Sequence, residues 1–253
     1  MVTVLDLISA LDDLLRPQAF DDYSPNGLQV PGPNEVRTLV TGVTASVDLF
    51  ERAAAEEADL VLVHHGLFWK GMPQHVDRSL YRRLRPLILN DIALAAYHLP
   101  LDAHPEVGNN ALLARALGCE DLEPFARHQG EPIGVAGRFP ADGIEAAELV
   151  ERVRTVTARE PLHLAYGPAR VRAIGIVSGG AAGYLDDAID AGHDAFLTGE
   201  PAERVLAQSR EAGIHFVAAG HYATETMGVR ALGDLLAERF GIRHLFLEDP
   251  NPI

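Results

Sequence analysis

Two adjacent histidines, His64 and His65, end the apolar run "LVLV" and are followed at once by Gly66. Imidazole is a common ligand for transition metals at neutral pH, and an apolar strand that stops in two of them offers nitrogen donors at the edge of a buried element. Neighbouring side chains on extended backbone diverge, so the doublet suits two adjacent ions, one imidazole each, better than chelation of a single ion. Two other segments carry compatible groups. "AAYHLPLDAH" presents His98 and Asp102 on either side of Pro100, a residue that disfavours helix and predicts extended or turning backbone. "AAGHYATETMG" presents His221 and Glu225 at i, i+4 spacing just after Gly220, on one face of a helix's first turn. Mixed nitrogen and oxygen ligation of this kind suits Zn, Mn, Fe, Co or Ni and argues against an all-oxygen Ca or Mg site.

Such groups act together only if the elements bring them to one place. "VRTLVTGVTAS" is β-branched and short, "VDLFERAAAEEA" is helix-like and "DLVLV" is a continuous apolar run, which reads β-α-β. Continuous rather than alternating apolar strands predict a mainly parallel sheet buried on both faces, and ligands of such sheets bind beyond the carboxyl ends of the strands. Before this unit, Val4, Leu5, Ile8, Leu11, Leu14 and Leu15 describe an amphipathic helix that stops before Pro17. After it, helix-like spacing in "SLYRRLRPLILN" gives way to the strand "IALAAYH", and "NNALLARALG" reads as a helix closed by Gly118. Composition changes after Glu123-Pro124, which places a boundary near residue 126 and predicts an α/β unit over 1–126 and a second over 127–253. In the second, "VSGGAAGY" lacks the Lys of a P-loop and the register of a dinucleotide site, so it reads as a tight strand-to-helix turn rather than a phosphate cradle. No G-x-S-x-G elbow is present, and the single Cys119 reads as a packing residue. The remaining histidines, His75, His104, His128, His163, His193, His215 and His244, read as structural.

Bulk properties narrow the function. The 253 residues carry 21 Lys and Arg against 36 Asp and Glu, a formal charge of −15, which opposes nucleic-acid binding through counterion release. The one basic cluster, Arg78, Arg82, Arg83 and Arg85, reads as a solvated helix face, with a local anion site as the alternative. No apolar segment approaches the roughly 18 residues a membrane span needs. The first twenty residues lack a basic stretch and place Asp6, Asp12 and Asp13 inside the apolar pattern, which predicts a cytoplasmic protein without a signal peptide.

The combination of "YSPNGLQV", "VLVHHGLFW", "AAYHLPLDAHPEVGNN", "AFLTGE" and "AAGHYATE" resembles the Nif-three-like family, often labelled GTP cyclohydrolase I type 2 homologues, in its short bacterial form without an inserted domain. The resemblance runs from about Asp6 to Phe246. It implies two similar, interlocked α/β units, a homohexameric toroid and a dinuclear metal site in the cleft between the units. On that resemblance the ligands of two divalent transition ions fall on His64, His65, Asp102, His221 and Glu225, with Glu225 bridging the ions and His98 as a further ligand or a supporting residue. Where many members have Thr in H-T-x-L-D, this chain has Leu99, which keeps the spacing and removes a hydroxyl. The implied activity is metal-dependent hydrolysis, of a purine ring as the label suggests or of another nucleotide or phosphoester. The alternative is a non-enzymatic metal-binding ring that serves as a regulatory or protein-interaction scaffold.

Overall fold

In the computed structural model, which describes every residue except Ala141, the strand Leu60–His65 is buried along its first five residues. It can be so because it is interior to a five-stranded sheet: Thr38–Thr44 and Ala93–Ala96 flank it, both parallel. Arg243–Phe246 continues the sheet in parallel on Thr38–Thr44, and Gly27–Val30 closes the other edge antiparallel to Ala93–Ala96. The crossovers carry the helices Val47–Ala55 and Arg78–Leu89. Each starts on a side chain that satisfies an otherwise orphaned backbone donor: Ser46 Oγ accepts from the Leu49 N–H at 3.1 Å and Asp77 Oδ1 from the Leu80 N–H at 2.8 Å. Leu49, Phe50, Val61, Val63, Leu87 and Leu94 interlock in the core of this unit. The predicted first helix is present as Val4–Leu15, held by a Thr3–Asp6 capping box and ended by Arg16 in the left-handed region ahead of Pro17.

The chain divides into two compact units, Met1–Leu101 with Gly228–Asp249, and Asp102–Met227 with Pro250–Ile253. This differs from the expected boundary near residue 126, for two reasons that composition does not carry. Residues 109–116 form a helix whose Ala111, Leu113 and Ala114 pack with Val135, Ile174 and Leu197 of the second unit. Residues 243–246 return to the first unit because they pair with Thr38–Thr44, some two hundred positions earlier.

The second unit is built on a six-stranded sheet ordered Leu162–Ala165, His215–Ala218, Ala195–Thr198, Ala173–Ile176, Glu131–Arg138 and Glu120–His128. Only the pairings of Ala195–Thr198 with its two neighbours are parallel, and the other three are antiparallel. The expectation of mainly parallel sheets therefore holds for the first unit and is corrected for the second. One of the three has a local cause: Gln129 and Gly130, with φ of 50° and 98°, join Glu120–His128 to Glu131–Arg138 by a two-residue turn of the kind that forces antiparallel pairing. Among the described residues no helix is long and apolar enough to cross a membrane. Replacing Leu94, fully buried in the first core, by Ala should cost about 2–5 kcal/mol of stability, measured as a lower midpoint in urea unfolding at an unchanged slope.

Candidate metal centre

In the first unit the histidine doublet ends its strand with both imidazoles on the same neighbourhood: ring centroids of His64 and His65 lie 4.6 Å apart. His98 joins them at 5.0 Å from His64 and 5.6 Å from His65, and one nitrogen from each of the three falls within 4.8 Å of the others. The divergence expected from strand alternation is thus not what the structure has, because His65 is the strand's last residue and the chain turns at Gly66. Gly66 leaves room for Gln29: a Cβ at position 66 would sit 2.3 Å from Gln29 Nε2 and displace the amide whose oxygen accepts from the Leu67 N–H at 2.8 Å.

The tautomers of two of these rings follow from their partners. His64, fully buried, points Nδ1 at the Tyr97 carbonyl at 3.0 Å; a carbonyl only accepts, so Nδ1 carries the proton and Nε2 holds the lone pair. His98 points Nδ1 at Asp22 Oδ1 at 2.6 Å, with the same consequence when its ring is neutral. Burial alone would push the Asp22 carboxyl up, but hydrogen bonds from His98, from Asn26 Nδ2 and from the Leu99 N–H outweigh it and hold it down to about 2. Asp22 is therefore a fixed anion that orients His98.

In the second unit, Asp102 sits on the short helix Leu99–Ala103, a correction to the extended or turning segment expected around Pro100. Pro100 occupies the second position of that helix, where a missing N–H costs no hydrogen bond. Asp102 Oδ1 accepts from Asn109 Nδ2 at 2.8 Å and from Ser178 Oγ at 3.2 Å, while Asn110 Nδ2 contacts the Asp102 carbonyl at 3.3 Å. His221 and Glu225 are on one face as the spacing predicts, His221 Nε2 lying 3.2 Å from Glu225 Oε2. They span the helix His221–Thr224 and the residue that ends it. The other nitrogen of His221, Nδ1, is 2.5 Å from Glu200 Oε1. Burial disfavours a charge on His221, yet Glu225 and Glu200 prevail and raise its pKa to about 9.

The donor set fits a divalent transition ion. Asp102 and Glu225 are both buried, with carboxylate oxygens within 4.8 Å of each other, an arrangement of like charges that a cation relieves. The two carboxylates that favour positive charge at His221 would equally favour a metal beside it. The backbone is also cleared for Glu225: Gly179, with φ of 66°, would place a Cβ 2.2 Å from Glu225 Oε1. The "VSGGAAGY" turn is thus the tight turn expected, with a role in seating a carboxylate that its sequence does not disclose. Asp22, Glu200, Asn109 and Ser178 were not singled out by spacing; their signal is proximity in the fold alone. Of the histidines read as structural, His244 braces Thr41 Oγ1 and Asp234 Oδ1, each at 2.8 Å, and His163 meets His215 at 3.1 Å. Cys119 is buried, and burial pushes its thiol up to about 12.

The model of the Duf34/NIF3 (NGG1p interacting factor 3) family matches residues 2–252. The chain is 49% identical over 251 residues to the GTP cyclohydrolase 1 type 2 homolog of Pseudomonas aeruginosa, covering 99% of each. It is 46% identical over 252 residues to the protein of that name from Allochromatium vinosum, covering 100% of this chain and 98% of that one. The crystal structure of TTHA1606 from Thermus thermophilus superposes over 100% of both chains with a TM-score of 0.91 and 41% identity. Replacing Gly179 by Ala should displace Glu225 and lower bound metal, measured by elemental analysis after dialysis, while the far-ultraviolet circular dichroism stays that of the wild type.

Proposed function

Because the chain belongs to the Duf34/NIF3 family, we propose that it is a hydrolase dependent on two divalent transition ions, held by His64, His65, Asp102, His221 and Glu225. The observation that carries this reading is the state of the imidazoles: His64, His98 and His221 each engage Nδ1 with a carbonyl or a carboxylate. Metal-ligating histidines are oriented in this way by a partner on the ring nitrogen that does not bind the ion. In this reading His98 is a ligand or supports one, and Glu225, with two carboxylate oxygens, is the bridging residue. Zn, Mn, Fe, Co and Ni all suit the donors.

When bound, two such ions lower the pKa of water toward neutrality and polarise a carbonyl, a purine ring carbon or a phosphoryl oxygen. The protein's own part is to fix the donors. Asp22 holds His98, the Tyr97 carbonyl holds His64, Glu200 holds His221, and Asn109 with Ser178 holds Asp102. The name borne by the Pseudomonas aeruginosa relative points to GTP and hydrolytic opening of a purine ring, and another nucleotide or phosphoester would use the same groups. A homohexameric ring and a cytoplasmic location belong to this reading.

The test is formate release from GTP, and phosphate or nucleoside release from a nucleotide panel, by the metal-loaded protein. His64→Ala and Glu225→Ala should each reduce turnover to background, as should complete chelation, with recovery when a divalent transition metal is restored. A wild-type rate in the metal-stripped protein would contradict the proposal.

A further inference from the structure

The loop after the histidine doublet lines an open cleft of about 540 Å³ within the first unit. That volume lies in the range of small-molecule sites, roughly 300–1,000 Å³. Its walls are largely apolar and include Phe68, Trp69, Met72, Pro73, Val76 and Leu80. Met72 and Val76 are 38% and 59% exposed, apolar surface that a ligand would cover.

Trp69, the one tryptophan of the chain, belongs both to this cleft and to the imidazole cluster. Its ring stands edge-on to His98, with centroids 5.2 Å apart and planes at 78°, and lies 5.8 Å from His65. The indole is also held in place. Its Nε1–H donates to the Gly66 carbonyl at 3.2 Å, its backbone N–H meets Met72 Sδ at 3.2 Å, and the Met72 N–H returns to the Trp69 carbonyl at 3.1 Å. The loop is clamped to the segment before it by the Lys70 N–H to the Tyr23 carbonyl at 2.7 Å and by Ser24 Oγ–H to the Phe68 carbonyl at 2.8 Å. A wall fixed in advance loses little freedom when a ligand stacks on it.

We propose that this cleft seats a planar aromatic ring of the substrate, with Trp69 as the wall shared by that ring and the imidazoles. The proposal rests on the metal-site reading for where the reacting bond lies, and on the geometry of the first unit for the seat itself. Two features select a ring over an anion. Indole, phenyl and thioether groups present flat or polarisable surface to a π-system. The ammonium of Lys70 is paired with Asp21 Oδ1 at 2.5 Å, so an anion would have to compete with that carboxylate. Gln74 and His75 supply polar atoms for a ring's edge.

The experiment is calorimetric titration of the full-length, metal-loaded protein with guanosine and adenosine, and with ribose as the ring-free control. Both nucleosides should bind and ribose should not. Trp69→Ala, and Val76→Phe, which fills the cleft from an exposed position, should each weaken nucleoside binding at least about tenfold, the scale of a base stacked on an aromatic side chain. Metal content by elemental analysis should be unchanged in both variants. Nucleoside affinity equal to wild type in both variants, ribose binding as well as the nucleosides, or no nucleoside binding by the wild type would each overturn the proposal. A wild-type protein that holds no transition metal, yet shows the nucleoside pattern, would instead sink the metal-site reading and leave the cleft standing.

Discussion

A neutral imidazole offers the lone pair of one nitrogen while the other carries the proton, and in this protein three rings have that second nitrogen held by a fixed partner. A carbonyl at the end of one strand fixes His64, a buried carboxylate fixes His98 and a second carboxylate fixes His221. Each of these partners must in turn be held. Asp22 is kept ionised by the Asn26 amide and the Leu99 N–H as well as by the ring it orients, so a polar loop of the first unit is as much part of the site as the strand that carries the doublet. The second unit follows the same rule around Asp102, with an asparagine and a serine on one oxygen.

The sheets explain why these groups can be rigid. His64 lies one residue before the end of an interior strand whose neighbours on both sides are parallel, and its ring is fully buried. Buried polar groups are tolerated only when satisfied, which favours the dense bonding seen around them. Glycines do the complementary work. Gly66 lets Gln29 pack against the turn after the doublet, and Gly179 lets Glu225 approach the backbone of a neighbouring turn. A methyl group at either position would force the neighbouring side chain to move.

Much of this was legible in the sequence. The helices Val4–Leu15, Val47–Ala55 and Asn109–Ala116, the interior strands and the His221–Glu225 face follow from periodicity and spacing. What was not legible depends on contacts far apart in the chain. The return of Arg243–Phe246 to the first sheet and the membership of residues 102–126 in the second unit are pairing and packing facts with no compositional trace. The antiparallel pairing of Glu120–His128 with Glu131–Arg138 had a signal in Gln129-Gly130, a hairpin turn that apolar continuity alone passes over. Pro100 misled in the other direction, since proline breaks helices from within but is at home in their first turn. Asp22 and Glu200 lie in "DDYSPN" and "LTGE", segments whose carboxylates look like loop residues until the fold sets them against His98 and His221.

The proposal is that His64, His65, Asp102, His221 and Glu225 hold a pair of transition ions. It is tested most directly by X-ray absorption spectroscopy, with elemental analysis, on protein purified without added metal and then reconstituted. Two ions per chain are expected, with only nitrogen and oxygen neighbours at about 2.0–2.2 Å, a metal–metal vector in the outer shell, and loss of both ions in Glu225→Ala. A stoichiometry of one or none after reconstitution, or an unchanged spectrum in Glu225→Ala, would contradict it.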